Sequence, residues 1–293
     1  MSAAAENLLA SEWRRWSDSL PQLIRPLAGG LTNRSFLIKT NEQLQVLRLN
    51  ARNSDSLNLD RHAETEALQL AASADLSPPL IYRDPADRYQ VTGYIDGTAL
   101  DIRDQNALTH AAQLLRGIHT LPGISAGLDI NKKIALYLAA SDGTSQFHRQ
   151  LHALQPQIAP HITTTTRLHK GPLNLCHNDL LATNILRRED GRLVAIDWEY
   201  AASGDPFFDL AVFVEGNGLA HNGRETLLQE YLQHPPAQCD RRRLFHWRVI
   251  YRYLEVLWYT VQFTSGKQSR AEDAVHIRAC ICRLEDLAST PVD

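Results

Sequence analysis

Residues 175–186 read LCHNDLLATNIL. His177, Asp179 and Asn184 stand in a run otherwise built largely from leucine, alanine and isoleucine. Burying a polar group without a partner costs roughly 1–3 kcal/mol. Such a segment needs compensation or a chemical task.

The sequence just downstream supplies the geometry. Residues 184–197, NILRREDGRLVAID, contain Asp190-Gly191, a pair that predicts a two-residue hairpin turn with positive φ at both central positions. Cross-strand partners would then sum to 381, pairing Glu189 with Arg192, Ile185 with Ile196, and Asn184 with Asp197. Facing residues lie within about 4.5–5.5 Å at Cα. An amide oxygen and a carboxylate converging this way suit Mg²⁺, which keeps most of its shell for water and phosphate oxygens. Asp179 sits in the loop after the strand LNLC, close to this pair but separately placed, as a base for a substrate hydroxyl must be.

Working outward, residues 1–95 read as a strand-rich lobe with one helix. RPLAGGLTNRSFLIKT (25–40) and EQLQVLRLN (42–50) alternate around a turn at Thr40-Asn41. NLDRHAETEALQLAASA (58–74) places Ala63, Ala67, Leu70, Ala71 and Ala74 on one helical face, predicted to pack on that sheet, and stops before Pro78-Pro79. PLIYRD and RYQVTGYI give two more strands, and Asp96-Gly97 reads as the linker. Residues 96–293 are predicted mainly helical: 104–121, about 145–159, and long helices after Asp205. Short strands around 173–197 interrupt them.

Bulk properties exclude several classes. With 44% hydrophobic and 22% charged residues and a net charge of -3, the chain has no global excess to draw nucleic acid or an anionic membrane. The basic cluster DRRRLFHWR (240–248) reads as a solvated helix start. No run approaches the ~20 apolar residues of a membrane span, and the N-terminus lacks a leader pattern, so a cytoplasmic location is expected. Cys176, Cys239, Cys280 and Cys282 have no redox or zinc spacing and are expected to be idle thiols.

HNDLLATN (177–184) resembles the H-x-D-x-x-x-x-N motif of protein-kinase-like small-molecule kinases. IDWEYAASGDPFFDLA (196–211) is similar to the metal-binding segment of the choline/ethanolamine and thiamine kinase branch of the aminoglycoside phosphotransferase family. AGGLTNRSFLI, VLRLN, ETEAL and VTGYIDG, in that order, extend the resemblance over nearly the whole chain. It implies an α+β, protein-kinase-like two-lobe fold: a nucleotide-binding lobe (1–95) built on an antiparallel sheet with one helix, and a mainly helical catalytic and substrate-binding lobe (96–293).

The resemblance also assigns roles. Asp179 would be the catalytic base, with His177 bracing its loop, and Asn184 and Asp197 would hold Mg²⁺ and through it ATP. Gly29, Gly30, Thr32 and Asn33 would form the turn over the phosphates. Arg48 stands where protein kinases carry a lysine, with Glu66 its expected helical partner and Glu64 the rival. Gly93, Tyr94 and Ile95 would meet adenine.

For the acceptor, residues 248–263 carry a core stripe (Ile250, Leu254, Leu257, Val261) and, one residue along, a second stripe of Tyr251, Glu255, Trp258 and Gln262. Aromatics with a carboxylate suit a quaternary ammonium or a thiazolium; amphipathic packing against another helix is the competing explanation. Similarity to choline kinases adds Tyr200 and Glu215. Leu181 and Glu255 depart from the pattern, standing where those enzymes tend to have glutamine and tryptophan.

The expected activity is ATP- and Mg²⁺-dependent phosphorylation of a small cationic alcohol, choline or ethanolamine, then thiamine. An aminoglycoside kinase is the nearest enzymatic alternative, although residues 238–293 hold seven acidic against nine basic residues where a polycation calls for an acidic trough. A nucleotide-binding protein without catalysis is the other.

Overall fold

The computed structural model describes residues 3–28, 33–51, 57, 59–265 and 271–290. Gly29, Gly30 and Thr32, the expected phosphate-facing turn, lie outside them.

The first lobe opens with α1 (Ala3–Glu12) and continues through β1 (Gln22–Pro26), β2 (Arg34–Thr40), β3 (Gln43–Leu49), α2 (Arg61–Ser73), β4 (Leu80–Arg83) and β5 (Tyr89–Gly93). The strands form one antiparallel sheet in the order β1-β2-β3-β5-β4. The β2–β3 turn is the two-residue kind, with Asn41 and Glu42 both at positive φ. Strand alternation sends Phe36, Ile38, Leu47, Leu49 and Val91 to one face, where Ala5 and Leu9 of α1 close over them. Two helices therefore belong to this lobe, not one. The helix expected to pack on the sheet, α2, does contact it, at β4 and through Glu64 to Arg48 of β3, and it also turns Ala63, Ala67, Leu68 and Ala71 into the larger core of the second lobe. Its N-terminus is capped by Asp60, which accepts from the backbone of His62 and Ala63.

The second lobe contains β6 (Gly97–Ala99), α3 (Ala107–His119), α4 (Ile130–Ala140), α5 (Gln146–Leu168), β7 (Asn174–Cys176), β8 (Ile185–Arg188), β9 (Leu193–Ala195), β10 (Ala202–Gly204), α6 (Pro206–Gly216), α7 (His221–Leu232), α8 (Gln238–Ser265) and α9 (Ala271–Ala288). Helix α8 is its axis, with Ile250, Leu254, Leu257 and Val261 all buried. Helix α5 runs nine residues past the expected end at 159 although Pro156 and Pro160 lie inside it. Each proline removes a helical hydrogen bond, and burial of Leu154, Ile158 and Thr165 in the lobe core offsets the loss. No described helix is long and apolar enough to cross a membrane.

The central hairpin differs from the sequence expectation by one residue. Ile185 pairs with Ala195, Leu186 with Val194 and Arg187 with Leu193, and Arg188 N–H bonds to Arg192 O. The connection is a three-residue loop, 189–191, in which only Gly191 has positive φ (82°). A two-residue turn would have forced Asp190 there as well; the longer loop confines the left-handed requirement to glycine. Asn184 therefore sits opposite Ile196, whose N–H it accepts, and Asp197 lies one residue beyond, at φ 64°. Strand β6 completes this sheet beside β8, and a Cβ on Gly97 would lie 2.6 Å from Arg187 O, so the crossing needs glycine.

Candidate active site

The loop after β7 carries Asp179, and a buried carboxylate from α6 sets its course. Asp209 accepts His177 N–H at 2.8 Å and Asn178 N–H at 2.6 Å, while His119 Nε2 donates to it at 3.0 Å. Burial pushes the Asp209 carboxyl up, but the bonds from His119 and from the His177 N–H hold it below its ordinary value. His177 is fully buried, donates Nε2–H to Ile196 O at 3.0 Å and packs its ring on Trp198. Burial lowers its pKa, keeping it neutral and fixing the loop to the segment that bears Asp197. Asn178, at φ 61°, turns the chain and donates to Tyr200 O.

Asp179, Asn184 and Asp197 line one cavity. Asn184 Nδ2 donates to Asp179 O at 2.9 Å and to Asp179 Oδ2 at 3.1 Å, which leaves Asn184 Oδ1 without a donor among the described residues. Burial raises the Asp179 carboxyl well above the usual carboxylate range; the charges of Asp197 and Glu199 add to this and the bond from Asn184 opposes it. Asp197 accepts Arg48 Nη1 at 3.2 Å through Oδ1, and its pKa too is raised, chiefly by burial with Arg48 opposing. Two hard oxygens on a rigid hairpin, one from a carboxylate whose charge is destabilised by burial, form a donor set that fits Mg²⁺.

Arg48 projects from β3 away from the α1 face and pairs with Glu64 at 2.6 Å, both side chains nearly fully buried. Glu66, the expected partner, points elsewhere: it accepts from the N–H and hydroxyl of Ser125. The helical phase held this information, since Glu64 stands three residues before Ala67 and seven before Ala71 on the buried face. A second basic residue, Arg61, joins Glu64 (2.8 Å) to Glu199 (3.1 Å), and Asn33 Nδ2 donates to Glu199 at 2.7 Å. The side chain of Asn33 thus ties the lobes together. Neither Arg61 nor Glu199 was singled out from sequence; Glu199 stands two residues beyond Asp197.

The expected adenine contacts are constrained. Gly93 N–H is bonded to Pro79 O and Tyr94 N–H to Leu44 O, so neither amide is free to donate to a base.

Beyond Asp179 the cavity, about 350 Å³, is walled by aromatics: Tyr137, Tyr200, Phe208, Tyr251, Trp258 and Tyr259. Trp258 Nε1 donates to the Tyr200 hydroxyl at 2.7 Å. Tyr251, Glu255 and Trp258 of the second α8 stripe all line it. Glu215 does not. It is enclosed between α6 and α8, where it accepts from Arg248 and Arg252, and Arg252 in turn donates to Glu255 at 2.8 Å. Among the lining residues that sequence did not single out are Tyr137 and Lys133, both brought in by α4.

The profile of the phosphotransferase enzyme family matches residues 23–245. Protein LicA of Haemophilus influenzae is 26% identical over 255 residues, covering 84% of this chain and 74% of that protein. Thiamine kinase of Escherichia coli (strain SMS-3-5 / SECEC) is 30% identical over 245 residues, covering 78% and 81%. The crystal structure of choline kinase LicA from Streptococcus pneumoniae superposes with a TM-score of 0.80 over 97% of this chain and 100% of that one, at 19% identity. Asp179, Asn184 and Asp197 all lie inside the matched range, and the chain belongs to the phosphotransferase enzyme family.

Proposed function

We propose that this phosphotransferase transfers the γ-phosphoryl group of ATP, as its magnesium complex, to the hydroxyl of a small cationic alcohol, choline or ethanolamine before thiamine. The observation that carries the reading is one cavity lined together by Asp179, by the oxygen-ligand pair Asn184 and Asp197, and by an aromatic wall. Relatives named as choline and thiamine kinases support the substrate class.

In this reading Asn184 and Asp197 would hold the magnesium, which when bound offsets charge on the phosphates. Arg48, engaged by Glu64, Asp197 and Asn50, would set its fixed positive charge beside the metal ligand Asp197, where it would offset charge on the phosphates. Asp179 receives the acceptor's hydroxyl proton. Its raised pKa brings it nearer the operating pH, which favours proton transfer as the oxygen attacks phosphorus. Tyr251, Trp258 and Tyr259 offer ring faces and Glu255 a carboxylate to the acceptor's cationic end, each cation–π contact worth about 0.5–2 kcal/mol. The cavity's limited volume and aromatic lining disfavour a bulky polycationic aminoglycoside.

The test is a coupled ADP-release assay with Mg·ATP against choline, ethanolamine, thiamine and kanamycin, run beside Asp179→Asn. Turnover with one of the first three, abolished in the variant, is expected. No turnover with any of them by folded protein that binds Mg·ATP would overturn the acceptor assignment.

A further inference from the structure

The acceptor end of the cavity carries a cation of its own. Lys133 lines the cavity, with Nζ 5.3 Å from the ring centre of Tyr200 and 5.5 Å from that of Tyr137. Among the described residues it makes no ion pair within 4.0 Å and no hydrogen bond. Across the cavity Glu255 is already matched by Arg252. The charge that acts on Lys133 is that of Asp179, which lies beyond ion-pair distance and is assigned to the acceptor hydroxyl, so no carboxylate of the lining is bonded to the ammonium.

Two consequences follow from the placement. The faces of Tyr137 and Tyr200 are occupied by the chain's own ammonium, so an acceptor's cationic group is left the opposite wall, Tyr251 and Trp258 with Glu255. A lysine head largely removed from water, with no carboxylate bonded to it, gains from an anionic oxygen brought within hydrogen-bond reach. Burial lowers the Lys133 pKa to about 8, so the ammonium is still mostly charged at neutral pH, and an anionic partner would restore the remainder.

We infer that Lys133 is a specificity-determining residue that selects an acceptor bearing a carboxylate as well as a cationic nitrogen and a hydroxyl: a zwitterionic alcohol, in preference to a simple onium alcohol. The inference rests on the kinase reading above: transfer to a hydroxyl beside a cationic nitrogen is kept, and an added carboxylate would rank an acceptor above choline or ethanolamine.

The experiment uses pairs that differ only in the carboxylate: ethanolamine against L-serine, and 3-amino-1-propanol against L-homoserine. Binding to the full chain with magnesium and a non-hydrolysable ATP analogue is followed by calorimetry, and kcat and KM by ADP release. The carboxylated member of a pair should bind about tenfold more tightly and show the higher kcat/KM, the scale expected of one charge-assisted hydrogen bond. Lys133→Met should abolish the difference and improve choline binding; Lys133→Arg should preserve the preference. Equal affinity within both pairs, tighter binding of the decarboxylated members, no binding of either, or a preference that survives Lys133→Met would overturn the assignment. So would an even fall in kcat for all acceptors in Lys133→Met, which would place Lys133 on the transferred phosphoryl group. Failure of the kinase reading is seen separately, as absence of ADP release and of stabilisation by Mg·ATP, and calorimetry reads the carboxylate preference without turnover.

Discussion

Replacing Glu64 by glutamine tests the buried charge network that positions Arg48. Glu64 Oε1 meets Arg48 at 2.6 Å and Oε2 meets Arg61 at 2.8 Å, all three side chains nearly excluded from solvent. Removing one member of a buried pair costs about 3–5 kcal/mol, because the partner is left charged and desolvated. Here Arg48 keeps Asp197 and Arg61 keeps Glu199, which places the loss at the lower end, about 3 kcal/mol. At roughly 2–4 °C per kcal/mol for a chain of this order, the melting temperature should fall by about 6–12 °C. Burial pushes the Glu64 carboxyl up, but Arg48 and Arg61 hold it below its ordinary 4.5. A depressed folded pKa contributes stability that is complete above the unfolded value and is lost as pH falls through the folded one. The gap between wild type and variant should therefore be full at pH 7 and close progressively below about pH 4.5. The assay is thermal unfolding at pH 7 and pH 4, beside KM for Mg·ATP, which should rise as Arg48 loses its anchor. Glu66→Gln is the control: it keeps an acceptor for Ser125 and should stay within about 0.5 kcal/mol of wild type. A larger loss in Glu66→Gln than in Glu64→Gln would refute the pairing and the argument built on it.

Asp179→Asn should lower turnover about 10²–10⁴-fold while raising the melting temperature at neutral pH. Its carboxyl has a raised folded pKa, so the native state loses stability as pH rises through that value, and the gain from the amide should vanish in acid, a trend that unfolding scans across pH would check. Asp209→Asn offers one acceptor oxygen where two backbone N–H groups and His119 now converge; a loss of about 1–3 kcal/mol and a fall in kcat are expected, measured by chemical denaturation and steady-state kinetics. Gly216→Ala would set a Cβ 2.2 Å from Leu181 Cδ2 and 3.2 Å from the Tyr251 hydroxyl, pushing both toward the cavity. KM for the acceptor should rise, with KM for ATP unchanged.

Much of this was legible in the chain itself. The alternation around Thr40-Asn41, the proline stop after α2, the apolar stripe of α8 and the segment 177–184 are local patterns whose periodicity or spacing dictates secondary structure directly, and they brought Asp179, Asn184 and Asp197 into one neighbourhood on paper. What they left open was decided by contacts between distant segments. The hairpin at 189–191 chose the register that confines positive φ to Gly191, which moved Asn184 from Asp197 to Ile196. Glu64 won over Glu66 because it lies on the buried side of α2, where it meets Arg48 of β3, while Glu66 faces outward to Ser125. Glu215 was withdrawn from the acceptor pocket by two arginines of α8 that need a buried carboxylate more than the cavity does. Lys133 and Tyr137 enter the pocket only because α4 lies against α8, with residues 141–237 of the chain between them. Period and spacing act within a segment, so sequence could place the reacting groups; burial and charge pairing act across the whole molecule, so only the tertiary structure could say which charges face the acceptor.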